Sequence, residues 1–225
     1  MASFTFISSY CPVLLVAGLL CFACGSAITQ VMNWTKLPGI TSPVPDLYSL
    51  HFFDPDTGFV CGKSGVVTVV GRLYKTEDGG NSWLSITLPG TPAALNDIFF
   101  LPNTNFGVVV GDGTYIATTT DRGASWTQQT VSLSEWPSGG DINGAYFTNA
   151  SDGFVVGNAV GGNGPRFART TNGGATWSNV PQTGPANNLY DVDFFTGLRG
   201  VMVGTGNPPR KSATTDGGTT WEPNA

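Results

Sequence analysis

The chain has 225 residues, a net charge of −5, and 40% hydrophobic, 12% aromatic and 11% charged residues. That content supports a real core and excludes a disordered tail, while the acidic balance excludes nucleic-acid binding through a basic face. With 31 Gly and 15 Pro, and no helical periodicity beyond the amino-terminal segment, the composition is that of many short strands joined by tight turns, an all-β protein.

Taken in order, the chain starts with an apolar run from Cys11 to Cys24 followed by Gly25-Ser26-Ala27, the outline of an export signal over residues 1–27. No Lys or Arg precedes Lys36, so the positive start of such a signal is missing. A single membrane-anchoring helix and a misassigned start therefore stay open as alternatives, although the run is short against the roughly 20 residues of a usual span. Cys11, Cys21 and Cys24 lie in this segment, so cleavage near Ala27 leaves Cys61 as a lone, core-type cysteine. Neither a disulfide nor a Cys/His metal set is expected, and no cofactor is implied.

Four octets organise the remainder: Thr76-Glu-Asp78-Gly-Gly80-Asn-Ser82-Trp83, Thr119-Thr-Asp121-Arg-Gly123-Ala-Ser125-Trp126, Thr170-Thr-Asn172-Gly-Gly174-Ala-Thr176-Trp177 and Thr214-Thr-Asp216-Gly-Gly218-Thr-Thr220-Trp221. Each reads as a hairpin corner, in which Asp or Asn accepts backbone amides, Gly takes a conformation other residues avoid, and Trp anchors the next strand. The Trp-to-Trp spacings of 43, 51 and 44 residues mean that one unit has been copied along the chain.

Upstream of each corner stands an aromatic opening strand, namely 47–52, 95–100, 141–146 and 189–194. A Gly-flanked apolar strand follows (58–62, 107–111, 153–157, 200–204), and a third strand leads into the octet. With the strand leaving the octet, this makes four strands per unit. The predicted fold is a β-propeller of four-stranded antiparallel blades, with repeats at about 47–90, 95–131, 141–184 and 189–225. Trp34-Thr-Lys-Leu-Pro-Gly39 echoes the Trp83 to Gly90 stretch. It is expected to be a closing strand, 34–39, that completes the fourth blade. Four blades closing alone, a ring shared by two chains, and a piece of a larger propeller all remain open, so monomer and homodimer are both compatible.

The octets resemble the Asp-box, or BNR repeat, of sialidases, sortilin-type receptors and other β-propellers. From about Trp34 to Trp221 the repeat Leu-x-Asp-Ile/Val-x-Phe, Gly-Phe-Val-Val-Gly, Thr-x-Asp-Gly-Gly-x-Thr-Trp is similar to that of the photosystem II stability/assembly factor family. The resemblance implies an exported, non-enzymatic chaperone that holds the precursor of a reaction-centre subunit through a basic patch. That family has seven blades against four repeats here, and Arg72, Arg122, Arg166, Arg169, Arg199 and Arg210 form no run. The box residues Asp78, Gly80, Trp83, Asp121, Gly123, Trp126, Asn172, Gly174, Trp177, Asp216, Gly218 and Trp221 are read as structural.

Binding candidates are the residues that break the repeat. His51, the chain's one His, aligns by sequence with Phe99, Ala145 and Asp193, a variable position suited to customising a channel, so His51 and Asp193 are candidates for a polar pair. Trp136, in the insertion 131–140, is the one Trp outside a repeat anchor, and Arg166 ends the irregular loop 157–166. Trp136, Arg166 and Arg122 are the expected contact residues. The reading that follows is an exported scaffold with a protein partner, no nucleic acid and no metal. The alternative is a carbohydrate-active or glycan-binding propeller built on Asp97, Asp191, Asp193, Tyr190 and Trp136. Glycoside hydrolysis needs two opposed carboxylates, and Asp97 and Asp191 sit at the repeat's own consensus position, which favours a structural role for them.

Overall fold

The computed structural model describes residues 40, 45–65, 67–129, 140–158, 165–180, 188–205 and 210–223. The export or anchor segment 1–27, the strand 34–39 and Trp136 lie outside the described residues, as does the side chain of Arg166. Among the described residues no helix is long and apolar enough to cross a membrane.

Among the described residues sixteen strands form four antiparallel sheets of four. The first contains β1 (Asp46–Phe52), β2 (Gly58–Ser64), β3 (Val70–Thr76) and β4 (Leu84–Ile86), and the second β5 (Leu95–Phe100), β6 (Gly107–Gly111), β7 (Tyr115–Thr119) and β8 (Thr127–Gln129). The third contains β9 (Asp141–Phe147), β10 (Gly153–Asn158), β11 (Pro165–Thr170) and β12 (Ser178–Asn179), and the fourth β13 (Leu189–Phe194), β14 (Gly200–Gly204), β15 (Arg210–Thr214) and β16 (Glu222–Pro223). In each sheet the chain meanders from one edge to the other, so every blade is local in sequence and the contacts between blades are not.

Those contacts follow one rule. The side chains of the second and third strands that face forward, such as Phe59, Cys61 and Leu73 of blade one, pack on the opening strand of the next blade, here Leu95, Ile98 and Phe100. Val108, Val110 and Ile116 meet Ile142, Ala145 and Phe147 in the same way, and Phe154, Val156 and Phe167 meet Leu189, Val192 and Phe194. The second strands β6 and β10 are buried because a sheet covers each of their faces, which is why they read as unbroken apolar runs.

The boxes are hydrogen-bonded as the octet chemistry requires. Thr76 Oγ1 accepts the Gly80 amide at 2.8 Å and donates to Asp78 Oδ1 at 2.9 Å, while Asp78 accepts the Ser82 amide at 2.8 Å and hydroxyl at 2.6 Å. In the third box Asn172 keeps the acceptor for the Thr176 amide and turns its second contact round, Nδ2 donating to Thr176 Oγ1 at 2.8 Å. Each box Trp stacks edge-on against the Phe that ends its own opening strand, with Phe100–Trp126, Phe147–Trp177 and Phe194–Trp221 centroids 5.9, 6.1 and 5.8 Å apart.

The edge of the fourth sheet, beside β15, is occupied by Glu222 and Pro223, which pair with Ala213 and Ser212. One feature differs from the sequence reading: the third opening strand is offset by one. Phe147, not Tyr146, faces Gly153, as Phe52 faces Gly58, Phe100 faces Gly107 and Phe194 faces Gly200. The reason is steric: a Cβ on Gly153 would come within 2.5 Å of the Phe147 ring, so this glycine selects its partner. The residue equivalent to His51, Phe99 and Asp193 is consequently Tyr146 rather than Ala145.

Candidate functional site

Every opening strand carries a β-bulge near its start, where the register against the neighbouring strand slips at Tyr48, Asn96, Asn143 and Tyr190. Bulges re-aim side chains, and here Asn96 Nδ2 reaches the Ile142 carbonyl of the next blade at 3.0 Å and Asn143 Nδ2 reaches that of Leu189 at 2.7 Å. One residue on, Asp97 ties three blades together. Its Oδ1 accepts Ser49 Oγ at 2.8 Å and its own neighbour Ile98 N at 2.8 Å, and its Oδ2 accepts Ala145 N at 3.0 Å. Burial raises the Asp97 pKa despite the donors around it, and the charge of Asp191 adds to the rise. Asp97 thus serves as a brace between blades.

Of the acids named for the alternative carbohydrate site, Asp97 on β5 and Asp191 on β13 come close enough for the charge of Asp191 to act on Asp97. Asp191 and Asp193 both lie on β13 and spend one oxygen each on the following amide, at 2.8 Å in both cases. Tyr190 is the bulge residue of that strand and half exposed. His51 lies in the first blade and Asp193 in the fourth, and no hydrogen bond or ion pair joins them among the described residues. Cys61 is buried and free, its thiol pushed up by desolvation and by the nearby Asp97.

His51 belongs to a different cluster, at the junction of blades one and two. Its ring sits 5.0 Å from Phe53 and 5.1 Å from Phe100, and burial followed by the charge of Arg122 lowers its pKa, so it is neutral at pH 7. Arg122 lies over the other part of this cluster, its guanidinium 4.2 Å from the Phe53 ring centroid and 3.5 Å from Asp54 Oδ2. Asp54 Oδ1 is already engaged by the amides of Asp56 and Thr57, which depress its pKa more than Arg122 does.

Arg122 is unusual for where its backbone is. It has φ of 61°, at a position held by Gly79, Gly173 and Gly217, with φ of 69°, 71° and 71°, in the other three boxes. A left-handed conformation costs a residue with a Cβ roughly 1–2 kcal/mol, and such strain concentrates where a side chain has a task. The side chain is 47% exposed, so its N–H donors beyond Asp54 are open to an incoming group. A planar guanidinium resting on an aromatic ring, with its fork facing solvent, is suited to a carboxylate. Phe53 and Asp54 were not singled out by sequence, but the substitution of Arg for Gly in an otherwise Gly-Gly box was a legible signal. Arg169, at the third box, is instead held by Asp152 at 3.1 Å and stacked 5.6 Å from Phe154.

A second concavity, of about 650 Å³, opens at the other end of the same junction, lined by Gly90 to Ala93, Asp112 to Tyr115, Gln128 and Gln129. Its Tyr115 hydroxyl is spent on the Pro89 carbonyl at 2.7 Å. Among the described residues no three His, Cys, Asp or Glu side chains come together as a metal set would.

No family model matches the chain, and no curated protein does. Solved structures do match. One described as YCF48 bound to D1 peptide is 22% identical with a TM-score of 0.60, covering 85% of this chain and 57% of that one. YCF48 from Cyanidioschyzon merolae is 17% identical with a TM-score of 0.52, covering 70% of this chain and 48% of that one. The fold is that of a β-propeller. A protein of unknown function from Dyadobacter fermentans DSM 18053 is similar at 15% identity and a TM-score of 0.57, covering 87% of this chain and 67% of its own. This propeller chain spans about half the length of the two YCF48 chains it matches.

Proposed function

We propose that this propeller is a non-enzymatic, exported binding scaffold that captures an extended protein segment bearing a carboxylate at the Arg122 corner. The observation that carries the reading is the strained, half-exposed Arg122 braced on Phe53 in place of a box glycine. Neutral His51 and the Phe53 and Phe100 rings beneath it supply an apolar floor, so that a carboxylate with an adjoining apolar side chain is the matching chemistry. A similar propeller solved with D1 peptide supports a peptide ligand, as does the resemblance of the repeat to the photosystem II assembly factors. Export rests on the outline of the 1–27 segment.

The test exploits the repeat itself. Arg122→Gly restores the residue of the other three boxes, so the fold is kept or stabilised while the cation is removed. Fluorescence anisotropy with labelled D1 peptide as probe should report binding to the wild-type chain, and a loss of at least tenfold in affinity for R122G with an unchanged or raised unfolding midpoint. Equal affinity in the two proteins would remove Arg122 from the site. A glycan-binding reading is favoured by one observation, the open cleft lined by Asp112, Gln128 and Gln129, and an oligosaccharide array probed with R122G, which leaves that cleft intact, separates the two.

A further inference from the structure

Opening-strand residues of blade one and second-strand residues of blade four are exposed where their equivalents in the other blades are buried. On the opening strand of blade one Leu47, Leu50 and Phe52 are 47%, 65% and 39% exposed, whereas their equivalents Leu95, Ile98 and Phe100 are 0%, 4% and 1% exposed. On blade four Val201 and Val203 are 36% and 45% exposed, and their equivalents Phe59 and Cys61, Val108 and Val110, and Phe154 and Val156 are all 0% exposed. The first surface is one that receives a preceding blade, and the second is one that docks onto a following blade. They are the two halves of a single junction.

Polar groups match as well. In the blade two to blade three junction Asp97 holds its own neighbour's amide with Oδ1 and the Ala145 amide of the next blade with Oδ2. Asp191 of blade four holds the Val192 amide with Oδ1 in the same way, and among the described residues no donor reaches its Oδ2. The residue of blade one equivalent to Ala145 is Leu50, as their pairings with Val60 and Val155 establish, and among the described residues no side chain accepts its amide. A surplus acceptor at one end thus corresponds in register to a surplus donor at the other.

We infer that a second copy of this chain covers both surfaces, blade four of each copy docking on blade one of the other, so that two chains make one ring. The pair has eight blades, within the roughly four to eight of known propellers. With strands about 4.8 Å apart and some 17 Å long, each blade face is on the order of 300 Å². Two junctions bury four such faces, on the order of 1,200 Å², the lower limit for a specific interface. A single junction would fall short, which favours the closed pair over an open one. Lys211 stands where Leu73 stands in blade one, and a lysine there can lay its stem along an apolar face with its ammonium in water.

The experiment is sedimentation velocity on the full chain from about 1 to 100 µM, with Leu50→Asp and Val203→Asp as variants at side chains that are exposed in the single chain and so leave its fold intact. The expected result is a wild-type dimer, with each variant monomeric and cooperatively folded by circular dichroism. An equimolar mixture of L50D and V203D should regain a weak dimer, since one of its two junctions is wild type on both sides. A wild-type monomer across the range, a dimer indifferent to both substitutions, or open-ended longer oligomers would each overturn the closed pair. A monomer whose Leu50 is protected from hydroxyl-radical labelling would instead assign that surface to a segment of the same chain.

Discussion

Two glycines separate the cost of backbone strain from the cost of packing between blades. Gly113 and Gly123 both have left-handed backbones, with φ of 67° and 81°, so alanine at either is strained by roughly 1–2 kcal/mol. They differ in what a Cβ would meet. At Gly113 nothing lies within 4 Å, whereas at Gly123 the new Cβ would be 2.5 Å from Phe59 Cζ, a ring that is fully buried and cannot swing aside. Forcing a methyl into such a site adds about 1–3 kcal/mol. Gly113→Ala should therefore cost about 1–2 kcal/mol and Gly123→Ala about 2–5 kcal/mol, within a total stability of the order of 5–15 kcal/mol. Equilibrium urea unfolding, followed by Trp fluorescence and far-ultraviolet circular dichroism at constant m-value, measures both. If the two variants cost the same, the box glycine serves its turn alone and the claim that it makes room for the preceding blade is wrong.

The carboxylates of the boxes and of Asp97 should impose opposite pH dependences. In Asp121 and Asp216 hydrogen bonds from Ser125 and Thr220, then from Thr119 and Thr214, hold the pKa down at about 2. Their contribution is complete above the unfolded value near 3.8 and is lost as pH falls from there towards 2. Asp121→Asn, which adopts the bonding of Asn172, should fold normally and flatten the stability profile in that window, as urea midpoints between pH 2 and 5 will read. Asp97 is raised by burial, so it favours the native state at low pH and weakens it as pH rises from about 4 through its folded value. Asp97→Asn should remove that decline while costing about 1–3 kcal/mol at pH 7, because an amide cannot accept from both Ile98 and Ala145. The profile would contradict this reasoning if it stayed unchanged above pH 4. Finally, Trp221 Nε1 donates to Gly218 O at 3.1 Å while Trp126 Nε1 is buried with no partner. Trp221→Phe should accordingly cost about 1 kcal/mol more than Trp126→Phe in the same unfolding assay.

The repeat was legible in the sequence because its chemistry is local. A Thr, an Asp or Asn, a Gly and a Trp within eight residues close a corner whatever surrounds it, and the hydrogen bonds of Thr76, Asp78 and Ser82 span no more than four residues. Strand order within each blade follows from the same locality. What only the tertiary structure decided depends on contacts about 48 residues apart. The bond of Asp97 to Ser49 and Ala145 joins three repeats, and no property of Asp97 by itself distinguishes that role from a catalytic one. The register of β9 turns on the fit of Phe147 to Gly153, which the neighbouring Tyr146 and Phe147 leave ambiguous until the bulge at Asn143 is placed. The direction of Arg122 was equally hidden, since its box specifies a left-handed backbone but the ring it rests on belongs to the preceding blade. Sequence period determined the blades, because each is built from neighbours in the chain. The blade-to-blade contacts determined the site, because burial and charge act through space.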